Sequence, residues 1–319
     1  MSEAAVHSQI IETGEKILAD LATKQSLEAA ELGSFPDGLW QALESSGFTE
    51  IGSADTGTRL SDAFAFTELC GRFAAPIPIA ETLLVNRWAG AEPGVHSIGL
   101  IRDNSVHQVP WGRTAKRVIG IEASGNRAVL IHTPTVVEEH SNLAGEPRDR
   151  VSLPEQPERL ELPEPAFATL ALARAAASAG ALNAIVALGV RYATERAQFG
   201  RPLAGFQAIQ HTLAVAAAET LAATTAVRAA AQQSDPARFD AEVAAARSRV
   251  GQAIRTVSDA VHQVHGALGF THEHILHHFT RRTWAWRDEY GNESFWEERL
   301  GRHIASTAAA NVWAFIATP

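Results

Sequence analysis

The residues with the clearest potential for binding chemistry lie in the stretch Arg191–His211, RYATERAQFGRPLAGFQAIQH. A Phe-Gly-Arg-Pro corner there separates two long apolar segments. The guanidinium of Arg196 could hold a phosphate through paired hydrogen bonds, and the ring of Phe199 could support a planar group. Gln198 and Gln207 add polar groups on either side of the corner. The pattern indicates a site for a large anionic ligand, whereas the simpler interpretation is an exposed arginine at a helix end beside a buried phenylalanine.

A second candidate segment is Val261–Phe270, VHQVHGALGF, at the end of a strongly periodic apolar pattern. Gln263 and His265 lie on the last turn of the predicted helix, and Gly266 follows them. Glycine allows the backbone to approach a ligand closely and to adopt positive φ. An ordinary helix C-cap at Gly266 explains the same residues without a ligand, so both interpretations remain open.

The acidic and aromatic stretch Trp284–Arg299 offers three carboxylates as general bases, namely Asp288, Glu289 and Glu293. Burial against tryptophan and tyrosine would raise the pKa of a carboxylate and allow it to remove a carbon-bound proton. The alternative is a solvated, charged turn before the last helix, and it is favoured for any one of these carboxylates.

Six histidines lie close together in the sequence: His262, His265, His272, His274, His277 and His278. His274 and His278 stand four residues apart and could face one metal ion. Glu273 precedes His274, however, so the His-Glu-x-x-His order of a zinc protease is missing. With no cysteine nearby, we predict packing or solvated histidines and no metal site.

Composition excludes several classes of protein. The net charge of −9 over 319 residues argues against a nucleic-acid binder, which normally carries a basic face. Cys70 is the single cysteine, so neither an intrachain disulfide nor a cysteine zinc site is expected. The first residues lack the apolar core of a signal peptide, and the alanine-rich run 166–181, interrupted by Arg174, is expected to be too weak for a membrane span. We expect a cytoplasmic protein that does not bind a membrane.

The first half of the chain is predicted to contain a helical domain at residues 1–94 and a small antiparallel β-domain at residues 95–162. Apolar periodicity places the helices at 3–30, 39–46, 61–73 and 81–89. Short β-branched runs place strands at 95–101, 105–109, 117–121, 127–133 and 151–153, with a turn at Gly125-Asn126. No glycine-rich phosphate loop follows any strand, which argues against a Rossmann or P-loop nucleotide site.

Residues 163–319 are helical again and rich in alanine, the strongest helix former. The pattern predicts a four-helix bundle with helices at 166–196, 206–232, 236–264 and 294–315. Asp235 and Pro236 should begin the third helix. On the second helix, one apolar stripe is predicted to face the core: Phe206, Ile209, Leu213, Ala217 and Leu221. The predicted fold class is therefore mainly α with a small β-domain.

Together these features resemble the acyl-CoA dehydrogenase family of flavoproteins over nearly the whole chain. Arg191–Ala214 is similar to the family's Arg-x-x-Phe-Gly segment with its downstream glutamine. Val261–Phe270 is similar to the family's Gln-x-x-Gly-x-x-Gly segment. The N-terminal LWQALESSGF and FTELCGRFAAPIPIAET stretches and the order of helical region, β-region and helical bundle fit the same family.

The resemblance implies an FAD cofactor that lies between subunits. Arg196, Gln198, Phe199 and Gln207 would lie near the pyrophosphate and adenosine. Three further residues would line the adenine side of a cofactor held mainly by a neighbouring subunit: Gln263, His265 and Gly266. The implied reaction is α,β-dehydrogenation of an acyl-CoA thioester, in which a glutamate takes the α-proton and the flavin takes the β-hydrogen as hydride.

Two departures from the family pattern bear on the catalytic base. The family's Thr-Glu-Pro-x-x-Gly-Ser-type loop is missing between Val95 and Pro163. The family's two base positions fall on Leu170 and Tyr290, and neither residue is acidic, although a shift of one residue would offer Glu289. This pattern resembles the short, base-lacking subunits of heteromeric acyl-CoA dehydrogenases of bacterial steroid side-chain breakdown, in which a longer homologue carries the glutamate.

Three functional hypotheses follow from the sequence. The preferred one is a base-lacking subunit of a heterotetramer with a longer acyl-CoA dehydrogenase homologue. The second is a complete dehydrogenase formed by self-association, with Glu289 as its base. The third is a structural or acyl-CoA-binding subunit without a redox role.

Overall fold

A computed structural model describes residues 3–122, 127–307 and Val312. The N-terminal helices are α1 (Glu3–Leu21), α2 (Lys24–Glu31), α3 (Asp37–Ser45), α4 (Leu60–Arg72) and α5 (Ile79–Ala89). The single helix predicted at 3–30 is two helices, because Thr23 interrupts it. The Thr23 side chain accepts a hydrogen bond from the backbone amide of Ser26 and so caps the start of α2.

The β-region forms one sheet with the strand order β5-β6-β2-β1-β3-β4-β7. Neighbouring strands are antiparallel except for β1 and β3, which are parallel. The short strands β5 and β7 were not predicted, because β5 has only three residues and β7 is mostly charged without a β-branched residue. The turn predicted at Gly125-Asn126 lies outside the described residues. The strands are β1 (His96–Arg102), β2 (Ser105–Pro110), β3 (Arg117–Ile121), β4 (Arg127–His132), β5 (Val136–Glu138), β6 (Arg148–Ser152) and β7 (Glu158–Glu161).

The C-terminal helices are α6 (Ala166–Glu195), α7 (Gln207–Gln232), α8 (Pro236–His265), α9 (Leu276–Asp288) and α10 (Glu293–Thr307). Asp235 caps α8, and Gly266 ends it with a positive φ of 60°, as predicted. Helix α9 was not predicted, because many of its buried residues are polar and give no apolar stripe in the sequence. The predicted last helix corresponds to α10, and its end near Phe315 lies outside the described residues.

The packing face of α7 differs from the predicted stripe. Leu221 is 68% exposed and Ala217 is exposed. In a helix dominated by alanine, several faces have similar hydrophobicity, so close packing of small residues rather than the largest apolar ones decides which face is buried. The buried residues of α7 are Ala216, Thr220, Ala223, Thr224, Val227 and Ala230.

Helices α6 and α7 are both long and apolar enough to cross a membrane, contrary to the expectation for α6. In α6, 78% of the most apolar window is buried inside the protein, which explains its composition. In α7 the corresponding share is only 33%. Helix α7 therefore presents a long apolar face outside the core of this chain.

The observed fold is mainly α with one small sheet, which confirms the predicted class. The largest hydrophobic cluster joins all three predicted regions, with Leu27, Ile98 and Leu170 among its members. Helices α4 and α6 pack so closely that a Cβ on Gly180 would lie 1.8 Å from the carbonyl oxygen of Glu68. This shared core does not separate the three regions, so the domain boundaries after residues 94 and 162 remain a prediction.

Candidate functional site

The corner at the end of α6 is a β-hairpin that exposes Phe199. Strands β8 (Ala197–Gln198) and β9 (Arg201–Pro202) form it. Phe199 and Gly200 both have positive φ, 54° and 81°, as a tight two-residue hairpin turn requires. The Arg196 amide donates to the Tyr192 carbonyl at 2.9 Å, which completes the helix end. Phe199 is 90% exposed at the tip, so the corner projects an aromatic ring into solvent.

The structure brings the two candidate binding segments together at one end of the bundle. The ring of Tyr192, on the last turn of α6, stacks on His265 with centroids 4.3 Å apart and planes at 20°. Gly189 permits this approach, because a Cβ there would lie 3.1 Å from Val261. The segments that carry Arg196 and Gln263 are therefore neighbours in space, although a whole helical hairpin separates them in sequence.

The polar groups at this end of the bundle are available to a ligand. Arg196, Gln198, Gln207 and Gln263 are exposed, and among the described residues the Arg196 guanidinium has no ion-pair partner. His265 is 2% exposed, and its Nδ1 hydrogen-bonds with the Val261 carbonyl at 2.8 Å.

The other ring nitrogen of His265, Nε2, is buried without a partner. Buried polar atoms normally have a hydrogen-bond partner, but the burial of this nitrogen keeps it from a ligand at the surface. The exposed Arg196 cation and the exposed Phe199 ring fit the pyrophosphate and adenosine half of FAD.

The remaining histidines pack against one another and against α2. His277 and His278 have ring centroids 3.9 Å apart, and His278 Nδ1 lies 2.8 Å from a carboxylate oxygen of Glu31. Within the described residues, no group of three or more histidine, cysteine or acidic side chains is arranged to hold a metal ion. His277 and His278 thus contribute to the packing of α9 against α2.

Glu289 lies in a buried ion network rather than in a solvated turn. Its carboxylate accepts hydrogen bonds from Arg148 Nε at 2.8 Å and from Asn142 Nδ2 at 3.1 Å. Arg174 Nε lies 2.9 Å from its other oxygen. Burial alone would raise the pKa of Glu289, but the charges of Arg148 and Arg174 outweigh it and hold the pKa below the ordinary value. This corrects the expected raised pKa and works against Glu289 as a general base, because a weaker base held between two cations is a poor proton acceptor.

The other two carboxylates of this stretch differ from Glu289. Asp288 is exposed, and Glu293 forms an ion pair with Arg287. The guanidinium of Arg287 lowers the pKa of Glu293 against the effect of desolvation. Asp288 is not buried and the pKa of Glu293 is lowered, so neither meets the requirement that made it a candidate base.

The network extends from Glu289 into all three regions of the chain. Arg174 on α6 also pairs with Glu81 on α5 at 2.6 Å. Glu146, just before β6, pairs with Arg148 at 3.0 Å and accepts from Trp286 Nε1 on α9 at 2.8 Å. The charges alternate, so most buried ions have a partner of opposite sign.

Both positions where the resemblance implies a base are closed. Leu170 is 1% exposed and Tyr290 is 2% exposed. The guanidinium of Arg174 lies 5.7 Å from the centroid of the Tyr290 ring, and burial raises the pKa of Tyr290 further above its ordinary value. Neither Leu170 nor Tyr290 is therefore open to a ligand at the surface of this chain.

The sequence did not reveal Arg148, Glu146 and Glu81 as members of this network. Arg148 and Glu289 are 141 residues apart in the chain, and no local pattern indicates such a pair. Arg174 was the one available signal, since a charge inside an alanine-rich apolar run must find a buried partner.

Comparison with known proteins identifies the C-terminal region. Residues 163–304 match the family described as "Acyl-CoA dehydrogenase, C-terminal domain". The protein named acyl-CoA dehydrogenase IpdE2 of Mycobacterium tuberculosis is 34% identical over 121 residues, which cover 38% of this chain and 37% of that protein. Glutaryl-CoA dehydrogenase of Desulfococcus multivorans is 31% identical over 112 residues, which cover 34% of this chain and 29% of that protein. The matched stretches thus span only about a third of the length of these relatives.

Solved structures share the fold over almost the whole chain. A chain of the Tcur3481–Tcur3483 steroid ACAD superposes with a TM-score of 0.82 at 20% identity and covers 97% of this chain and 100% of its own length. A chain of the ChsE4–ChsE5 complex from Mycobacterium tuberculosis also gives 0.82, at 18% identity, with 96% and 98% coverage. Butyryl-CoA dehydrogenase from Megasphaera elsdenii gives 0.77 at 18% identity, with 93% and 98% coverage.

Proposed function

We propose that this chain, whose residues 163–304 belong to the acyl-CoA dehydrogenase C-terminal domain family, is the base-lacking subunit of an FAD-dependent acyl-CoA dehydrogenase. A longer homologue would supply the base and the reactive end of the flavin site. The observation that carries the proposal is the filling of this chain's own cleft. Arg174, Glu81 and Glu289 occupy the space beside Tyr290, where the family resemblance places a glutamate.

The Arg196 corner would serve a flavin held mainly by the partner subunit. The exposed Arg196 guanidinium would bind the pyrophosphate, and Phe199 and Gln207 would contact the adenosine. His265, which is buried beneath Tyr192, would support the adenine side from within the bundle. When bound, FAD supplies the acceptor for the hydride removed from the acyl group. This chain contributes binding and orientation, and the proton is taken by a residue of the partner subunit.

The exposed face of α7 supports an obligatory partner. Its two ordinary charged residues, Glu219 and Arg228, are already paired with Arg249 and Glu68. On the rest of this face, Val215 is 50% exposed and Leu221 is 68% exposed. A long apolar face that continues from the Arg196 corner is suited to burial against another subunit.

For the acyl group we propose a steroid side chain. The likeness to a complex described as a steroid ACAD supports this substrate class. A steroid acyl-CoA should therefore be oxidised by the assembled complex more efficiently than butyryl-CoA, as measured by kcat/KM. Equal or better oxidation of butyryl-CoA would refute the proposed substrate class, but it would not bear on the proposed assembly with a longer homologue.

The direct test of the cofactor role uses Arg196→Ala in the complex co-expressed with a longer homologue. Loss of a charge-assisted hydrogen bond to phosphate should weaken FAD binding about 10- to 100-fold. Arg159→Ala is the matched control, because Arg159 is exposed on β7, far along the chain from the corner. Unchanged FAD affinity in Arg196→Ala would contradict the proposed role. A stable complex that binds no flavin at all would favour a non-redox subunit instead.

A further inference from the structure

The start of α9 depends on a histidine that must be neutral. His274 Nδ1 accepts a hydrogen bond from the backbone amide of Leu276, the first residue of α9, at 3.2 Å. A ring nitrogen can accept only when it carries no proton. Protonation of His274 would remove this bond and place a positive charge at a helix N-terminus, where the helix dipole disfavours it.

The surroundings of His274 also oppose a positive charge. The groups that act on it electrostatically are Arg191 at the end of α6, His265 on α8, His277 on α9 and Lys24 on α2. All four are cations or become cations in acid. The nearby carboxylate of Glu31 is committed elsewhere, to Arg282 at 2.7 Å and to His278 at 2.8 Å.

The same histidine lies beside both candidate binding segments. The His274 ring lies 4.7 Å from His265, which in turn stacks on Tyr192. The loop before α9 is tethered to α2, since Lys24 Nζ donates to the carbonyl of His272 at 2.6 Å. A change at His274 therefore acts on the stack that joins the two candidate binding segments.

We propose that His274 is a pH-sensitive cap. When neutral it holds the start of α9 and the Tyr192–His265 stack in place, and in mild acid it releases them. The loosening itself depends only on this chain, whereas its effect on cofactor binding rests on the function proposed above. Burial, reinforced by the neighbouring cations, lowers the pKa of His274. Because the pKa is lower in the folded state than in the unfolded one, the cap keeps its full effect above pH about 6.5 and loses it as the pH falls further.

Hydrogen exchange of the full chain at pH 7.5 and pH 5.5, corrected for intrinsic exchange, tests the proposal. Protection of backbone amides in peptides covering 266–282 should fall about 10-fold at the lower pH, while peptides of β1 and β3 keep theirs. His274→Asn is the decisive variant, since the asparagine oxygen can accept the same hydrogen bond at any pH. It should remove the pH dependence of this segment. His132→Asn, an exposed histidine on β4, should retain it.

Two outcomes would overturn the proposal: equal protection of the segment at both pH values in the unaltered chain, or full pH dependence in His274→Asn. A second measurement follows FAD affinity of the assembled complex, which should be several-fold weaker at pH 5.5 and independent of pH in His274→Asn. If the segment loosens at pH 5.5 but the complex binds no flavin at any pH, the capping role of His274 is supported and the cofactor role is refuted.

Discussion

Glu289 illustrates how the partners of a carboxylate decide its chemistry. Desolvation alone makes a buried carboxylate a stronger base, which is what its aromatic neighbours in the sequence suggested. Two guanidinium groups reverse the effect and turn the carboxylate into half of a buried ion pair. Removal of one member of such a network leaves an uncompensated charge behind, so its effect on stability should be large.

The variant Glu289→Gln should accordingly lower the free energy of unfolding by about 3 kcal/mol, measured by urea denaturation. Glu298→Gln is the control, because Glu298 is an exposed partner of Arg302 and should change stability by about 0.5 kcal/mol or less. Normal stability together with lost turnover in Glu289→Gln would instead identify Glu289 as the base.

Glu146 gives the network a characteristic pH dependence. Its burial opposes ionisation, yet the charges of Arg148 and Arg282 lower its pKa to about 2. Its contribution is present above the unfolded-state pKa, about 4.5, and is lost as the pH falls toward 2. The difference corresponds to about 3 kcal/mol.

Denaturation midpoints at pH 5 and pH 3 should therefore differ less in Glu146→Gln than in the unaltered chain. Glu155→Gln, at an exposed position before β7, should keep the original difference. An unaltered pH dependence in Glu146→Gln would show that Glu146 does not carry this effect.

The hairpin β8–β9 is the element that aims the binding residues. Gly200 needs its φ of 81°, which costs about 1 kcal/mol for an alanine, whereas Gly205 has no such requirement and has room for a Cβ. The two glycines thus provide a matched pair of substitutions within one corner.

Gly200→Ala should lower thermal stability slightly and weaken FAD binding by the complex several-fold, because the turn that orients Arg196 is strained. Gly205→Ala should leave both properties unchanged. Equal FAD affinities for the two variants would mean that the shape of the hairpin does not matter for binding.

The sequence predicted most elements of this fold because their signals are local. Asp235-Pro236 and Gly266 mark the ends of α8 through backbone chemistry, and β-branched runs mark the central strands. The face of α7 could not be predicted, because alanines on every side leave its orientation to packing. Helix α9 was missed because its inward groups are largely polar, such as Arg282 and His278, and become buried only through partners such as Glu31.

At the scale of the whole molecule, the chain exposes polar binding groups at one end of the bundle and buries paired charges in its middle. The family resemblance is confirmed for residues 163–304, and solved structures share the fold of the chain. The paired segments at the bundle end expose binding groups, whereas the seam between α5, α6, α9 and the sheet is sealed by paired charges. The closure of the seam could not be predicted, since it depends on contacts between distant parts of the chain.

The most direct test of this account is the flavin content of the purified assembly and of the chain alone, measured by absorbance against protein concentration. We expect the chain alone to hold no FAD and the complex with a longer homologue to hold about one FAD per pair of unlike subunits. A full equivalent of FAD in the chain alone, with oxidation of an acyl-CoA, would contradict the claim that its own cleft is closed and its corner serves a partner.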